Sequence, residues 1–106
     1  MPELEEYFPK IKRIIGTSLF KLHQFDEAER YYRKLLEQHN YSWLYIELCR
    51  SLLKLKREQE AEIMLGDLFL RDDTRFAAYD LITSYCIDNE RFKEAYNYIK
   101  RATLLA

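Results

Sequence analysis

A Glu-Ala pair recurs three times along this chain at nearly constant spacing. The copies are Glu27-Ala28, Glu60-Ala61 and Glu94-Ala95, so that successive alanines are 33 and then 34 residues apart. A fixed period of this length is typical of stacked helical repeats, in which every unit supplies the same pair of helices. The spacing therefore predicts that one structural unit occurs three times.

The composition favours helices along the whole chain. Only two glycines and two prolines occur among the 106 residues, which argues against a fold with many tight β-turns. Leu, Glu, Lys, Arg and Ala, all good helix formers, are abundant. Apolar residues recur at helical spacing in six segments, which short polar stretches separate. We therefore expect an all-α fold of three antiparallel helix-turn-helix hairpins.

Local signals suggest where the units begin and end. Residues 1–8 carry three glutamates and are predicted to form an N-terminal lead-in. Pro9 is well placed to begin the first helix, because its missing N–H would be unsatisfied there anyway. Asp26, with Glu29 three residues later, fits a capping box for the second helix, and Ser42 is a suitable N-cap for the third. The predicted repeat domain spans residues 9–106, divided into units 9–41, 42–75 and 76–106.

The charge balance excludes some classes of partner. With 17 basic and 18 acidic residues the formal net charge is −1, which gives no global field to attract nucleic acid or an anionic membrane. Cys49 and Cys86 lie in apolar segments without CxxC spacing, which indicates reduced core residues. No apolar run approaches the roughly 18 residues of a membrane span, and the N-terminus is acidic where a secretory signal would be basic and then apolar. We expect a cytoplasmic protein.

The residue types that catalysis requires are sparse. His23 and His39 are the only histidines, and neither has a cysteine or carboxylate at metal-ligand spacing. The sequence shows no nucleophile-base pair and no Gly-rich phosphate loop. We therefore predict that the chain is not an enzyme and has no catalytic residue, no metal site and no cofactor.

Counting back from each alanine identifies a family. Small residues stand twelve positions before it, at Gly16, Cys49 and Thr83, and leucine-like residues stand thirteen before it, at Ile15, Leu48 and Ile82. With these positions, residues 9–106 resemble the tetratricopeptide repeat family of helix-turn-helix units. The resemblance implies three hairpins stacked in a right-handed α-solenoid. Pentatricopeptide repeats, which read RNA, are the nearest competing family, but the small-residue and alanine pattern favours tetratricopeptide repeats.

The resemblance also implies a binding surface, because the first helices of such units line a concave groove. A groove with basic first units and an acidic third unit would hold a peptide of mixed charge in one orientation. The alternative is that these residues are simply the solvated sides of amphipathic helices. The groove positions implied by the resemblance are Lys10, Arg13, Thr17 and Lys21 in the first unit, Trp43, Glu47, Arg50 and Lys54 in the second, and Asp80 and Ser84 in the third.

The final predicted helix offers a second surface. Repeat arrays normally finish with a helix whose outer face is polar. Here the last hairpin carries apolar residues with no further helix to cover them, which indicates a partner. We expect either a homo-oligomer or a C-terminal continuation of the chain to cover Tyr98, Ile99, Ala102 and Leu105.

The function expected from these patterns is a non-catalytic module that binds a protein partner, either a peptide or a helix, in the groove. A purely structural or assembly scaffold is the alternative, and RNA binding is disfavoured by the absence of a strong positive balance. More loosely, the stretch from Trp43 to Ala106 is similar to the tetratricopeptide region of some bacterial response regulators. That similarity would make the chain one part of a larger regulatory protein.

Overall fold

Six helices make up the fold of the residues that the structure describes. The computed structural model describes the backbone of residues 2–105 and the side chains of residues 9–104, and no strand occurs in that part of the chain. The helices pair sequentially as α1–α2, α3–α4 and α5–α6 into three stacked hairpins, which confirms the predicted all-α architecture. Their bounds are α1 Pro2–Lys21, α2 Phe25–Leu36, α3 Ser42–Lys54, α4 Glu58–Leu70, α5 Arg75–Asp88 and α6 Phe92–Leu105.

The repeated alanines lie where the helices touch. Ala28 and Ala61 are fully buried and Ala95 is 5% exposed, so each side chain is enclosed by the packed helices. The small residues twelve positions earlier are buried as well. A Cβ atom added at Gly16 would lie 2.4 Å from Cε1 of Tyr32, so α1 approaches α2 closely at this point. The period in the sequence therefore corresponds to a period in helix packing.

Each hairpin turns through a residue with positive φ. These residues are His23, Lys56 and Glu90, with φ of 61°, 62° and 60°, and they follow the same period as the alanines. After each of them the next N–H donates to a carbonyl five residues earlier, as in the bond of 2.7 Å from Arg91 N to Cys86 O. This Schellman geometry satisfies carbonyls at the end of the first helix. The three turns are therefore copies of one structure.

Glycine at the last of these turns is expected to stabilise the protein. Glu90→Gly should raise the free energy of unfolding by about 0.5–1 kcal/mol, because the left-handed region is unfavourable for a residue with a Cβ atom and open to glycine. Glu37→Gly is the matched control, since Glu37 has φ −65° at the end of α2. Glu37→Gly should lower the free energy of unfolding, and chemical denaturation measures this free energy for both variants. Equal losses in the two variants would contradict the proposed role of the turn.

The expected helix starts were wrong in three places. Helix α1 begins at Pro2 and Pro9 lies inside it; a proline removes one hydrogen bond from a helix without always ending it. The capping box does not form, because α2 begins at Phe25 after Gln24 and has no side-chain cap. The Ser42 hydroxyl donates to the Asp73 carboxylate, and Ser42 is already the first residue of α3.

Two arginines connect successive hairpins. Arg57 and Arg91 occupy equivalent positions immediately before α4 and α6. Arg57 Nη1 lies 3.0 Å from Oε1 of Glu29 in the first hairpin, and Arg91 Nη2 lies 2.9 Å from Oε1 of Glu58 in the second. A hydrogen bond from the Tyr85 hydroxyl and the ion pair with Arg91 lower the pKa of Glu58. Each junction between hairpins therefore contains an ion pair.

Candidate partner-binding groove

The first helices of the three hairpins meet at a cavity of about 140 Å³. Helix α1 contributes one side chain, α3 contributes three and α5 contributes four. The cavity combines buried leucines and aromatic rings with charged groups, an arrangement typical of a site that binds an organic or peptide group. It is lined by Phe20, Arg50, Leu53, Lys54, Leu81, Ser84, Tyr85 and Asp88.

A second, shallower depression of about 480 Å³ follows one face of α1. It brings together all four groove positions of the first unit, Lys10, Arg13, Thr17 and Lys21, beside Ile14. The Ile14 side chain is 64% exposed, so one apolar side chain lies between the basic residues. This surface therefore combines hydrophobic area with positive charge.

The sole tryptophan packs between the first two hairpins. Trp43 is half-buried, and its ring stacks on Tyr41 with centroids 6.1 Å apart and meets Tyr32 edge to face at 6.4 Å. The guanidinium carbon of Arg13 lies 5.3 Å from the Trp43 ring centroid, a distance suited to cation–π attraction. These contacts give Trp43 a packing role and fix the position of Arg13.

Glu47 is buried rather than open to a ligand. It is 8% exposed, and its carboxylate accepts a hydrogen bond of 3.2 Å from Nη1 of Arg50. The residue in phase with the other groove positions is Ile46, which lies 33 residues after Arg13. The ion pair leaves Arg50 partly neutralised at the cavity.

The Tyr32 hydroxyl has no hydrogen-bond partner among the described residues, although the side chain is fully buried. Burial, followed by the negative charge of Glu47, raises the pKa of Tyr32 to about 12. The hydroxyl group therefore adds a desolvated polar atom to the contact between α1 and α2 without the compensation that a hydrogen bond would supply.

Replacing Tyr32 by phenylalanine is expected to preserve or improve stability. The gain should be about 1 kcal/mol at neutral pH, because no buried hydroxyl remains unpaired. The pKa of Tyr32 is about 12 in the folded chain, whereas in the unfolded chain it is near the ordinary tyrosine value of 10.0. Ionisation of the unfolded chain therefore lowers the free energy of unfolding as the pH rises from 10 towards 12, and has no effect below that range. Tyr32→Phe should therefore show a shallower alkaline loss in a pH series of denaturation curves. Tyr96→Phe, at an exposed ring, should change neither the stability at neutral pH nor its loss at alkaline pH.

The third unit supplies an acidic wall. Asp80 and Ser84 are exposed on α5, and Ser84 lines the cavity together with Asp88. The structure thus brings Arg50, Lys54 and Ser84 of the predicted positions to one cavity, while Asp80 does not line it.

Some of the cavity lining was missed from sequence. Phe20 and Leu53 are 33 residues apart, the same spacing as the first two alanines, so the period could have identified them. Leu81 and Tyr85 lie elsewhere in the repeat, and only the packing of α5 on α3 places them at the cavity.

The predicted self-association residues on α6 differ in how exposed they are. Tyr98 is half-buried against Phe69 and Tyr79, with ring centroids 6.1 and 6.4 Å away. Ile99 is 48% exposed and Ala102 is half-buried, whereas the Leu105 side chain lies outside the described residues. Further exposed apolar side chains on α6 are Phe92, Tyr96 and Leu104.

Neither cysteine is in a reactive state. Cys49 and Cys86 are free thiols and both are buried. Burial raises the pKa of the Cys49 thiol to about 12 and also raises that of Cys86, so both remain protonated at neutral pH. Within the described part of the chain, no cluster of His, Cys, Asp and Glu could hold a metal ion. None of the helices in residues 2–105 has the length and apolar character to cross a membrane.

A family model matches most of the chain. Residues 11–84, which are 74 of the 106 residues, match the model described as the fourth ARM domain of tetratricopeptide repeat protein 21. The matched region runs from α1 into α5 and includes most of the cavity lining. No curated protein and no solved structure matches the chain significantly.

Proposed function

The chain belongs to the family of the fourth ARM domain of tetratricopeptide repeat protein 21, and on this premise we propose that it is a non-catalytic module that binds a segment of a partner protein. The proposed binding surface is the groove formed by α1, α3 and α5. Repeat arrays of stacked helix pairs use extended surfaces of this kind for recognition. The observation that carries the proposal is the cavity where side chains of all three first helices meet.

The charges along the groove favour a ligand of mixed charge. Lys21 and Lys54 are exposed at the ends of α1 and α3, and Asp80 and Asp88 are exposed on α5. Opposite signs on the two sides of a groove favour one orientation of a charged ligand over its reverse. The partner segment is therefore expected to carry acidic residues towards α1 and α3 and basic residues towards α5.

Self-association through α6 is the second candidate. It is favoured by an exposed apolar face on which Phe92, Tyr96 and Ile99 follow at helical spacing, with exposures of 61%, 64% and 48%. A second copy of the chain would cover this face. In the scaffold alternative, assembly through such faces is the whole function and the groove remains empty. The matched family adds no support to the similarity with response regulators.

Removing the groove cations is expected to weaken ligand binding. Peptides would first be selected on the wild-type protein from a displayed library of random 12-residue sequences. The double variant Lys21→Gln/Lys54→Gln should lower their affinity about three- to ten-fold, because two exposed charge pairs are lost. Arg30→Gln/Lys34→Gln, on the exposed side of α2, removes the same charge and should have little effect. Fluorescence anisotropy measures each affinity.

A third variant separates the two candidate functions. Ile99→Glu should leave peptide affinity unchanged and reduce any dimer that light scattering detects in the wild-type protein. If the groove variant bound the selected peptides as tightly as the wild type, groove binding would be wrong. If Ile99→Glu abolished peptide binding, the ligand surface would be α6 instead.

A further inference from the structure

The cavity between α3 and α5 has an apolar interior, and neighbouring residues of the fold fix the positions of its side chains. Leu53 and Leu81 are 3% and 8% exposed. The Phe20 ring meets Phe25 edge to face at 5.0 Å. The Tyr85 hydroxyl donates to Glu58, and its ring lies 5.7 Å from the guanidinium carbon of Arg91. The walls are therefore positioned by contacts of the fold itself, which lowers the cost of ordering them around a ligand.

The size of the cavity matches one aromatic or branched aliphatic side chain. Its volume is about 140 Å³, and an engineered protein cavity of about 150 Å³ lined by Leu, Ile and Phe binds benzene. A phenyl ring would thus fill the space, and a longer peptide segment would have to continue along the groove outside it.

The charged residues of the lining differ in how accessible they are to a ligand. Lys54 and Asp88 are exposed, whereas Arg50 is half-buried. The Arg50 guanidinium already binds the Glu47 carboxylate at 3.2 Å. Because Arg50 is paired, the exposed cations at this site are Lys54 and, next to Phe20 at the end of α1, Lys21. They outnumber Asp88, the carboxylate of the lining, so the electrostatic balance favours a negative group beside the apolar one.

We propose that this cavity is an anchor subsite for a phenylalanine- or leucine-sized side chain next to a carboxylate in the partner segment. The proposal rests on the proposed function and specifies the ligand. The apolar side chain packs between Leu53, Leu81 and Tyr85, and the neighbouring carboxylate interacts with Lys54. Removal of the apolar group from water supplies most of the affinity, and the charge sets the preference.

Three small molecules of the same shape test the subsite directly. The probes are 3-phenylpropionate, 3-phenylpropionamide and 3-phenylpropylamine, which share the ring and differ in charge. We expect 3-phenylpropionate to bind most tightly, about five-fold better than the amide, and the amine to bind most weakly. NMR titration gives the affinities, and intermolecular NOEs to the methyl groups of Leu53 and Leu81 locate the ring.

Two variants separate the apolar and the charged contributions. Ser84→Leu adds a side chain at the edge of the cavity on an exposed helical position that tolerates leucine, and it should abolish binding of all three probes. Lys54→Gln should remove the preference for the carboxylate and leave binding of the amide unchanged. Lys34→Gln, on α2, serves as the control and should preserve both the binding of the probes and the preference for the carboxylate. Amide chemical shifts far from α3 and α5 check that each variant remains folded.

The outcomes distinguish this inference from the proposed function. If the probes bound elsewhere, or equally well regardless of charge, the subsite proposal would be overturned. Peptides selected on the groove would test it independently, because they should contain Phe or Leu beside Asp or Glu. Selected peptides that lose affinity in Lys21→Gln/Lys54→Gln but lack this pattern would support groove binding and refute the subsite. If the probes bound as expected but no peptide could be selected on the groove, only the proposed function would be refuted.

Discussion

Alanine at position 16 is expected to destabilise the protein by about 1–3 kcal/mol, although alanine is a better helix former than glycine. The added Cβ atom would lie 2.4 to 2.6 Å from three atoms of the Tyr32 side chain. Because Tyr32 is fully buried, its ring can move away only by displacing its neighbours. Relief therefore requires α1 and α2 to separate, which weakens the first hairpin. Thermal or chemical denaturation would measure the loss.

The second glycine of the chain is a matched control. Gly66 lies inside α4, and a Cβ atom there would meet nothing within 4 Å. Gly66→Ala is expected to raise stability by about 0.5–1 kcal/mol through helix propensity alone. Opposite signs for the same substitution would locate the effect in the α1–α2 contact. A stabilising Gly16→Ala variant would show that this contact is looser than the distances to Tyr32 indicate.

Leu65→Ala is expected to have the largest effect, a loss of about 2–5 kcal/mol in the free energy of unfolding. Leu65 is 2% exposed in α4 and belongs to the core that connects the second hairpin with its neighbours. Removing its side chain loses buried apolar area and leaves a cavity that rigid helices refill poorly. A loss of this size is a large part of the stability of a small domain. Circular dichroism during thermal unfolding would show a lower midpoint.

The control for Leu65 lies two residues earlier on the same helix. Ile63 is 74% exposed, so Ile63→Ala removes little buried area and should stay within about 0.5 kcal/mol of the wild type. Comparable losses in both variants would mean that α4 is rotated about its axis and buries a different face. The pair therefore tests the orientation of the helix as well as its presence.

The period of the alanines was sufficient to predict the three hairpins. A contact between two helices that excludes bulk must recur at the same place in every unit, so the residues that satisfy it recur in the sequence. Ala28, Ala61 and Ala95 are all buried in the structure, in agreement with that argument. The six helices follow from the same phase, because each unit repeats one amphipathic pattern.

The ends of the helices and the pairing of charges could not be predicted in the same way. A capping box depends on a local choice between competing hydrogen bonds, and Glu29 is used instead by Arg33 and Arg57. Arg57 lies 28 residues away in sequence, so only tertiary structure brings the two together. Glu47 shows the same limit, because its burial and its ion pair with Arg50 follow from the packing of α3. Ile46, the residue in phase with Arg13, is buried as well.

The two ion pairs between hairpins also imply that the groove can change its width unevenly. Glu29 at the first junction has a side chain only 9% exposed, whereas Glu58 at the second is 33% exposed, so salt weakens the second pair more readily. Helix α2 also packs more extensively on α3 than α4 does on α5. The junction next to α5 is therefore the softer hinge, and bending there moves the acidic wall while the basic walls remain together.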